Sequence, residues 1–194
     1  MRCPLANATT GLKAMLLSGC ALWALAAHAT VTQVRDVETL TRDSDAVVRG
    51  TVQSVESSWV GQGTQKSIVT RVKIRVSENL KGDPGSVAEV VQPGGIIPES
   101  DIGQIVHGMP EFQRGEEVVV FLKRHAPSVA TFWVSGMAQG KYTVERTSDG
   151  KKAFAVPSAV DAALVGADGQ PATSSAKPLE LTELRKRIQA AVTK

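Results

Sequence analysis

Residues 68–76, IVTRVKIRV, carry the clearest secondary-structure pattern in the chain. Apolar side chains alternate there with Arg71, Lys73 and Arg75. A period of two residues predicts a β-strand with one buried and one solvated face, because a helix would repeat its apolar residues every three or four positions. The side chains expected to point inward are Ile68, Val72, Ile74 and Val76.

Shorter patterns on both sides predict further strands. Residues 46–55, AVVRGTVQSV, alternate with Val48, Gly50 and Val52 on one face. Glycine inside such a pattern suggests a bulge or a strongly coiled strand. Turns rich in glycine, proline and aspartate separate the strands. The other predicted strands cover residues 87–92, 117–123, 131–134, 141–145 and 152–156.

Apolar residues at helical spacing predict one short helix before the strands and one after them. Residues 34–40 hold three apolar side chains at a spacing of three. A second, amphipathic helix near the C-terminus has Thr182 as its candidate cap. We expect this helix to pack back on the strands, with presentation to a partner as the alternative. Its apolar residues are Leu181, Leu184, Ile188 and Ala191.

A series of short strands with a helix at each end predicts one mainly β domain. A small OB-like β-barrel with a short N-terminal helix and a C-terminal amphipathic helix fits this order best, and a β-sandwich is the alternative. The expected organisation is a barrel domain over 30–165, a polar linker over 166–178 and the C-terminal helix over 179–194.

The first 29 residues have the pattern of a cleavable signal peptide. Arg2 and Lys13 are the only charges before an apolar run over 14–27, and Ala27-His28-Ala29 supplies the small residues that signal peptidase reads. The apolar run of about 14 residues is too short for a transmembrane helix, which needs about 20. We therefore expect no transmembrane segment and a bacterial protein that is periplasmic or secreted.

A lipid anchor is the alternative reading of this N-terminus. Residues 17–20, LSGC, match the pattern at which bacterial lipoproteins are cut and acylated on cysteine. The apolar run continues beyond Cys20 to Leu25, whereas a lipoprotein would turn polar there. Ordinary secretion is the expectation, and acylation of Cys20 is kept as its rival.

Cleavage after residue 29 would remove Cys3 and Cys20, the two cysteines of the sequence. The remaining domain could then form no disulfide, thiolate metal site or cysteine nucleophile. The formal charge of +3 would fall to about +1, which does not favour a general polyanion-binding role. The stability of the remaining domain must then come from the packing of its apolar side chains.

The sequence lacks a recognisable catalytic or metal-binding pattern outside the signal region. His107 and His125 have no glutamate or second histidine at ligand spacing. No serine lies in a Gly-x-Ser-x-Gly motif, and residues 61–67, GQGTQKS, lack the glycine that a phosphate-binding loop places before its lysine. We expect no enzyme activity, no metal and no cofactor.

A basic stripe on two predicted strands raises the question of nucleic acid. Proteins that bind single strands add aromatic platforms to such stripes, and these faces carry none. A solvated strand face, paired with Glu56 and Glu78, is the favoured interpretation, and no nucleic-acid partner is expected. The basic residues are Arg49, Arg71, Lys73 and Arg75.

A stretch punctuated by glycine and proline, residues 93–115, stands out by its length. Only residues 105–107 are expected to form a short strand within it. Long ordered loops on a rigid scaffold often carry function. We predict that this loop and the edge around Trp59 form a partner-binding surface. Its candidate residues are Trp59, Ile96, Ile97, His107, Met109 and Phe112.

The order of several short motifs resembles that of an uncharacterised family of exported bacterial proteins. The motifs are SDAVVRGTV over 44–52, residues 70–78 followed by LKG, PGG over 93–95 and FQRGEEVVVFL over 112–122. The resemblance covers residues 34–122. Proteins of that family resemble, in predicted architecture, the netrin-like OB barrel of tissue inhibitors of metalloproteinases, which implies a protein-binding role.

One departure from those inhibitors limits the comparison. They place an N-terminal cysteine on the zinc of the protease, and residues 30–194 contain no cysteine. The sequence therefore predicts a noncatalytic exported module that binds another extracytoplasmic protein, with a secreted protease among the candidates. A carbohydrate- or cell-envelope-binding protein and a structural envelope protein are the alternatives; the first would need exposed aromatic side chains, for which Trp59, Trp133 and Tyr142 are available.

Overall fold

The computed structural model of the chain describes residues 31–126, 130–173 and 176–193. The predicted signal peptide, with Cys3 and Cys20, lies outside these residues. The helices are α1 (Val37–Asp43) and α2 (Leu181–Val192), and short 3-10 turns cover Gly63–Gln65 and Met137–Gly140. The strands are β1 (Val31–Gln33), β2 (Ala46–Val60), β3 (Ser67–Lys81), β4 (Val87–Pro93), β5 (Gly95–Ile97), β6 (Ile102–Gln104), β7 (Glu117–Arg124), β8 (Thr131–Val134), β9 (Lys141–Arg146), β10 (Ala153–Pro157), β11 (Ala163–Val165), β12 (Pro171–Ala172) and β13 (Leu179–Glu180).

Five strands close into a barrel. β2 pairs with β3, β3 with β4, β4 with β8 in parallel, β8 with β7, and β7 returns to β2. The expected mainly β fold with a small barrel is confirmed, because the strand pairing runs round to its starting strand. In β3 the predicted inward residues Ile68, Val72 and Ile74 are buried, and Val76 is partly buried.

β7 has an apolar environment on both faces. Val118, Val120 and Leu122 belong to the barrel core, whereas Val119 and Phe121 belong to a second core beneath the helices. On the edge opposite β2, its first half pairs with β9 and its second half with β8. β9 then pairs with β10, and β10 with β13, so β7 joins the barrel to the outer sheet.

The long hairpin of β2 and β3 coils at Gly50. The register of the two strands shifts between Arg49 and Gly50, as expected for a bulge. A Cβ atom on Gly50 would lie 2.3 Å from the carbonyl oxygen of Arg75, so the strands approach too closely there for any side chain. Glycine at this position lets β2 curve with the barrel wall.

α2 packs back on the body of the protein, as the sequence predicted. Leu181, Leu184, Ile188 and Ala191 are all buried, and the first three of them lie in the same core cluster as Val119 and Phe121. Thr182 was expected to cap the helix, but the N-cap residue is Glu180 and no side chain caps this end. The helix therefore depends on its apolar face.

α1 begins at Val37, later than the predicted start at residue 34. Val34 donates its backbone N–H to the carbonyl oxygen of Val165 at 2.9 Å, which holds it beside β11. Asp36 then caps the helix by accepting a hydrogen bond from the N–H of Thr39 at 2.7 Å. Hydrogen bonding by the side chain of Thr39, followed by this backbone bond, lowers the pKa of Asp36. A long-range strand contact thus overrides the local helical spacing.

A two-pronged ion pair joins the helices. Arg187 donates from Nε and Nη2 to the two carboxylate oxygens of Glu38, at 2.7 and 2.6 Å. These hydrogen bonds hold the pKa of Glu38 below its ordinary value. The geometry fixes the rotation of α2 against α1.

The segment predicted as a polar linker, residues 166–178, is partly built into a small sheet. β12 pairs antiparallel with β11, and β11 pairs in parallel with β1. The turn between β11 and β12 is closed by the N–H of Gly166, which donates to the carbonyl oxygen of Gln170 at 2.8 Å. The polar residues 166–170 therefore form a turn between paired strands.

Leu184→Ala should lower the free energy of unfolding by about 2 to 5 kcal/mol, because the leucine is fully buried in the core beneath α2. Thr182→Ala, on the exposed face of the same helix, should change it by less than about 0.5 kcal/mol. Urea unfolding followed by circular dichroism measures both. Similar values for the two variants would contradict the packing of α2.

Candidate functional site

The loop between β4 and β7 contains a small hairpin of β5 and β6. The sequence predicted a strand over 105–107, but β6 covers Ile102–Gln104 and residues 105–107 form no strand. Ile97 pairs with Ile102 and Ile96 with Gly103. The hairpin forms here because Gly94 and Gly95, both with positive φ, turn the chain back over the barrel.

Three hydrogen bonds anchor this hairpin to the barrel wall. Gly94 donates its N–H to the carbonyl oxygen of Ile68 at 2.8 Å and accepts from the hydroxyl of Thr70 at 2.6 Å. Ile68 donates its own N–H to Oε1 of Gln104 at 2.8 Å. Since both ends of the hairpin are tied to β3, its position is fixed before any partner arrives.

Gly95 is the residue at which the hairpin comes closest to β2 and β3. A Cβ atom there would lie 2.2 Å from Oγ1 of Thr70 and 2.4 Å from Oγ of Ser57. Those two hydroxyls are hydrogen-bonded to each other at 2.9 Å. The hairpin therefore lies flat against the inner face of β2 and β3, with no space for a side chain beneath it.

A buried lysine fixes the far side of the loop. Lys141 is only 5% exposed and donates to the carbonyl oxygen of Glu111 at 2.6 Å. It also forms an ion pair with Glu116 at 2.9 Å and lies 5.0 Å from the ring centre of Phe112. Gln92 donates to the carbonyl oxygen of Pro110 at 3.0 Å. The segment 110–116 is thereby held in one conformation.

Asp161 ties the middle of the loop to the chain before β11. Its carboxylate accepts from the N–H of Gly108 at 2.5 Å and lies 3.0 Å from Nδ1 of His107. The hydrogen bond from Gly108, followed by that from His107, lowers the pKa of Asp161. His107 thus has a structural partner on the surface of the protein.

The anchored segments enclose an open groove of about 730 Å³. One side is formed by residues 55–57 of β2 and the other by the loop from residue 104 to residue 113. Ile96 and Ile105 stand at its rim and are 64% and 83% exposed. Large apolar side chains held in solvent on a fixed loop are a feature of docking surfaces.

The predicted site residues divide into four groups. Ile96, Met109 and Phe112 line the groove, with Phe112 buried at its base. His107 stands beside it through its contact with Asp161. Trp59 is 38% exposed farther along β2, with the ammonium of Lys66 4.6 Å from its ring centre. Ile97 is buried and does not line the groove, so it supports the hairpin instead.

Val55 and Ile105 are among the groove-lining residues that were not predicted as site residues. Val55 ends the alternating pattern of 46–55 and was treated as part of a strand, and Ile105 was assigned to a short strand. The available signal was an apolar pair, Ile105 and Val106, between polar residues in a loop. Val55 could not be recognised without the strand order.

A second surface gathers aromatic and basic side chains on the other side of β7. Trp133 is 51% exposed and its ring lies 5.0 Å from that of His125. Lys123, Arg124 and Arg35 line the same cavity of about 600 Å³. Tyr142, the third aromatic named from the sequence, is buried, and burial raises the pKa of its hydroxyl.

The basic stripe is interrupted by ion pairs. Arg49 forms ion pairs with Glu117 at 2.6 Å and with Glu78 at 3.6 Å. The sequence analysis proposed Glu78 as a partner of the basic stripe. Arg71 pairs with Glu89 at 2.9 Å, not with Glu56. The carboxylate of Glu117 has a lowered pKa because Arg146 and Arg49 both donate to it, against the opposing effect of burial.

Within the three described ranges, no group of three or more His, Cys, Asp and Glu side chains is arranged as a metal site. Neither helix described there has the length and apolar character needed to cross a bilayer. The groove, with exposed isoleucines on an anchored loop, is the surface on which a functional interpretation can be based.

Gly95→Ala should displace the hairpin and lower the free energy of unfolding by about 1 to 3 kcal/mol, since the added methyl group would overlap two hydroxyl groups. Gly103→Ala is the matched control, because its Cβ would meet Cγ1 of Ile96 at an ordinary 3.5 Å. Amide hydrogen exchange of residues 94–104 and urea unfolding measure the two effects. Equal behaviour of the variants would contradict the close seating of Gly95.

No protein-family model matches the chain, and a search of curated proteins finds no match. The functional interpretation therefore rests on the groove and on the sequence patterns.

Proposed function

We propose that the protein is a noncatalytic exported module that binds another extracytoplasmic protein through the groove and its apolar rim. The observation that carries the proposal is the pair of exposed isoleucines, Ile96 and Ile105, on a loop anchored to the barrel. Burying such a side chain at an interface contributes about 1.5 to 3 kcal/mol.

Rigidity of the loop supports the same proposal. A loop that must become ordered on binding loses conformational entropy, which weakens the complex. Here the bonds donated by Thr70 and Lys141, and the bond that Gln104 accepts from Ile68, already fix both walls of the groove. The groove would therefore retain most of the free energy gained from apolar contacts.

The N-terminal pattern supports export to the periplasm or the medium. Cleavage after residue 29 would leave a domain without cysteine, whose core depends on packing in an oxidising compartment. A secreted protease is the first candidate partner, because the sequence resembles an exported family whose predicted architecture is similar to that of metalloproteinase inhibitors. Any effect on the protease would arise from docking of the groove, because no cysteine is available for a zinc ion.

Binding of an acidic cell-envelope carbohydrate is the second candidate function. It is favoured by the exposed ring of Trp133 beside His125 and by the cations of Lys123 and Arg124 in the same cavity. Aromatic faces stack on sugar rings, and cations attract acidic groups. Trp133→Ala separates the two functions, because it would remove carbohydrate binding and leave protein docking at the groove unchanged.

A photocrosslinking residue at position 96 should capture one specific protein in the cell envelope. The full chain is expressed with its signal, and the crosslinked band is identified by mass spectrometry. A photocrosslinking residue at Lys151, in the exposed turn between β9 and β10, is the control and should capture nothing specific. The same band from both positions, or none from position 96, would count against the groove.

Ile96→Asp should then weaken binding of the identified partner by about tenfold to a hundredfold, because an apolar contact is replaced by a buried charge. Val192→Asp, an equal change at an exposed position on α2, should leave the affinity unchanged. Isothermal titration calorimetry with the purified partner gives both values.

Export of the full chain from a Gram-negative host should yield an intact mass that begins at Thr30 and carries no lipid. The mass is measured on protein recovered from the periplasm or the medium. A product that begins at acylated Cys20 would instead place the groove on a membrane-anchored lipoprotein. The proposed compartment would then be wrong, although the groove would be unaffected.

A further inference from the structure

One edge of β2 has no neighbouring strand over its second half. β7 pairs with residues 46–51, and the last bonds on that side join Val52 to Gly115 and Glu116. From residue 53 to residue 60, β2 pairs only with β3 among the strands of the described chain. An unpaired strand edge presents a row of free N–H and C=O groups.

The hydrogen bonds of β3 show which groups point to this free edge. Ile68 directs its N–H to Gln104 and its C=O to Gly94, so both groups face away from β2. Ile68 is paired with Trp59, so Trp59 must direct its own N–H and C=O away from β3. By the alternation of an antiparallel ladder, Val55 and Ser57 do the same, whereas Glu56 and Ser58 bond to β3.

The free edge runs along the groove. Residues 55–57 form one side of the groove, and Glu111, Phe112 and Gln113 form part of the other. A strand added beside β2 would enter this space and could place alternate side chains against Val55 and Ile96. The backbone bonds and the apolar contacts would then come from the same segment of the partner.

All the charged side chains that line the groove are acidic. Its lining includes Glu56, Glu99, Glu111 and Asp161 and no lysine, arginine or histidine. In the described part of the chain, the first three of these carboxylates take part in no ion pair. A basic ligand would complement them, whereas a second copy of the chain would bring the same acidic groove to the contact.

We propose that the groove binds an extended peptide segment, with basic residues alternating with apolar ones, as an additional antiparallel or parallel strand on the free edge of β2 at residues 55–59. The inference rests on the proposed protein-binding function and specifies the partner: an exposed, basic, strand-forming segment. Backbone bonds supply affinity, and the acidic groove selects for charge.

Amide hydrogen exchange by NMR tests the proposal on protein purified from cells that express the full chain. The probe is a heptapeptide in which valine alternates with lysine or arginine. The amides of Val55, Ser57 and Trp59 should exchange quickly in the free protein and at least about tenfold more slowly with saturating peptide. The amides of Glu56 and Ser58 should be slow throughout, because they already bond to β3.

Two altered peptides and two variants give the controls. A peptide N-methylated on its pairing edge keeps its side chains and should lose binding at least about tenfold, and a peptide with glutamate in place of the basic residues should do the same. Val55→Pro removes one outward N–H and should weaken binding, whereas Val55→Thr retains that N–H, loses only apolar contact and should weaken binding less. Binding should also weaken as salt is raised.

Equal protection at Val55 and Glu56, or undiminished binding of the N-methylated peptide, would overturn strand addition. Protection of the odd-numbered amides that rises with protein concentration, without peptide, would assign the edge to a second copy and overturn the proposal. If position 96 crosslinks a specific partner but the peptide does not protect the amides of Val55, Ser57 and Trp59, this inference is wrong and the proposed function stands. Protection by the peptide without any crosslinked partner would contradict the proposed function and leave the peptide site intact.

Discussion

β7 lies with apolar side chains on both faces, and this double burial organises the molecule. Val120 points into the barrel, and its neighbour Phe121 points into the core under α1 and α2. A strand covered on both faces must form one wall of each core, so the two cores are built on the same backbone. The outer sheet and the C-terminal helix therefore depend on closure of the barrel, although neither is part of it.

The candidate groove arises because β2 and β3 are longer than the barrel needs. Only residues 46–51 of β2 pair with β7, and the remainder projects beyond it with β3 as its support. The β4–β7 loop folds across this projecting part and is fixed there by Thr70 and Gln104. The docking surface is thus a lateral extension of the barrel wall, whose lining is acidic although the whole chain carries a formal charge of +3.

Patterns of apolar residues in the sequence predicted the features that depend on neighbouring residues, namely which faces of a strand or helix are buried. The alternation over 68–76 gave the faces of β3 correctly, and the spacing from Leu181 to Ala191 gave the buried face of α2. The start of α1 was misplaced because Val34 is held by Val165, more than a hundred residues away in sequence. The hairpin of β5 and β6 was missed because strands of three residues leave no measurable period. The groove depends on strand order, which periodicity does not contain; hence Val55 was recognised as a strand residue and not as part of a site.

The positions of the tryptophans allow the two candidate surfaces to be followed separately by fluorescence. Of the three tryptophans, Trp23 lies outside the described residues, whereas Trp59 stands on the projecting part of β2 and Trp133 stands beside His125. Each indole is partly exposed, so its emission responds to water at its own surface. Once residues 1–29 are removed, replacing either tryptophan by phenylalanine would leave one tryptophan, which can be excited at long wavelength apart from Tyr142. Its emission would report on the groove end of the barrel or on the basic aromatic surface, without any added label.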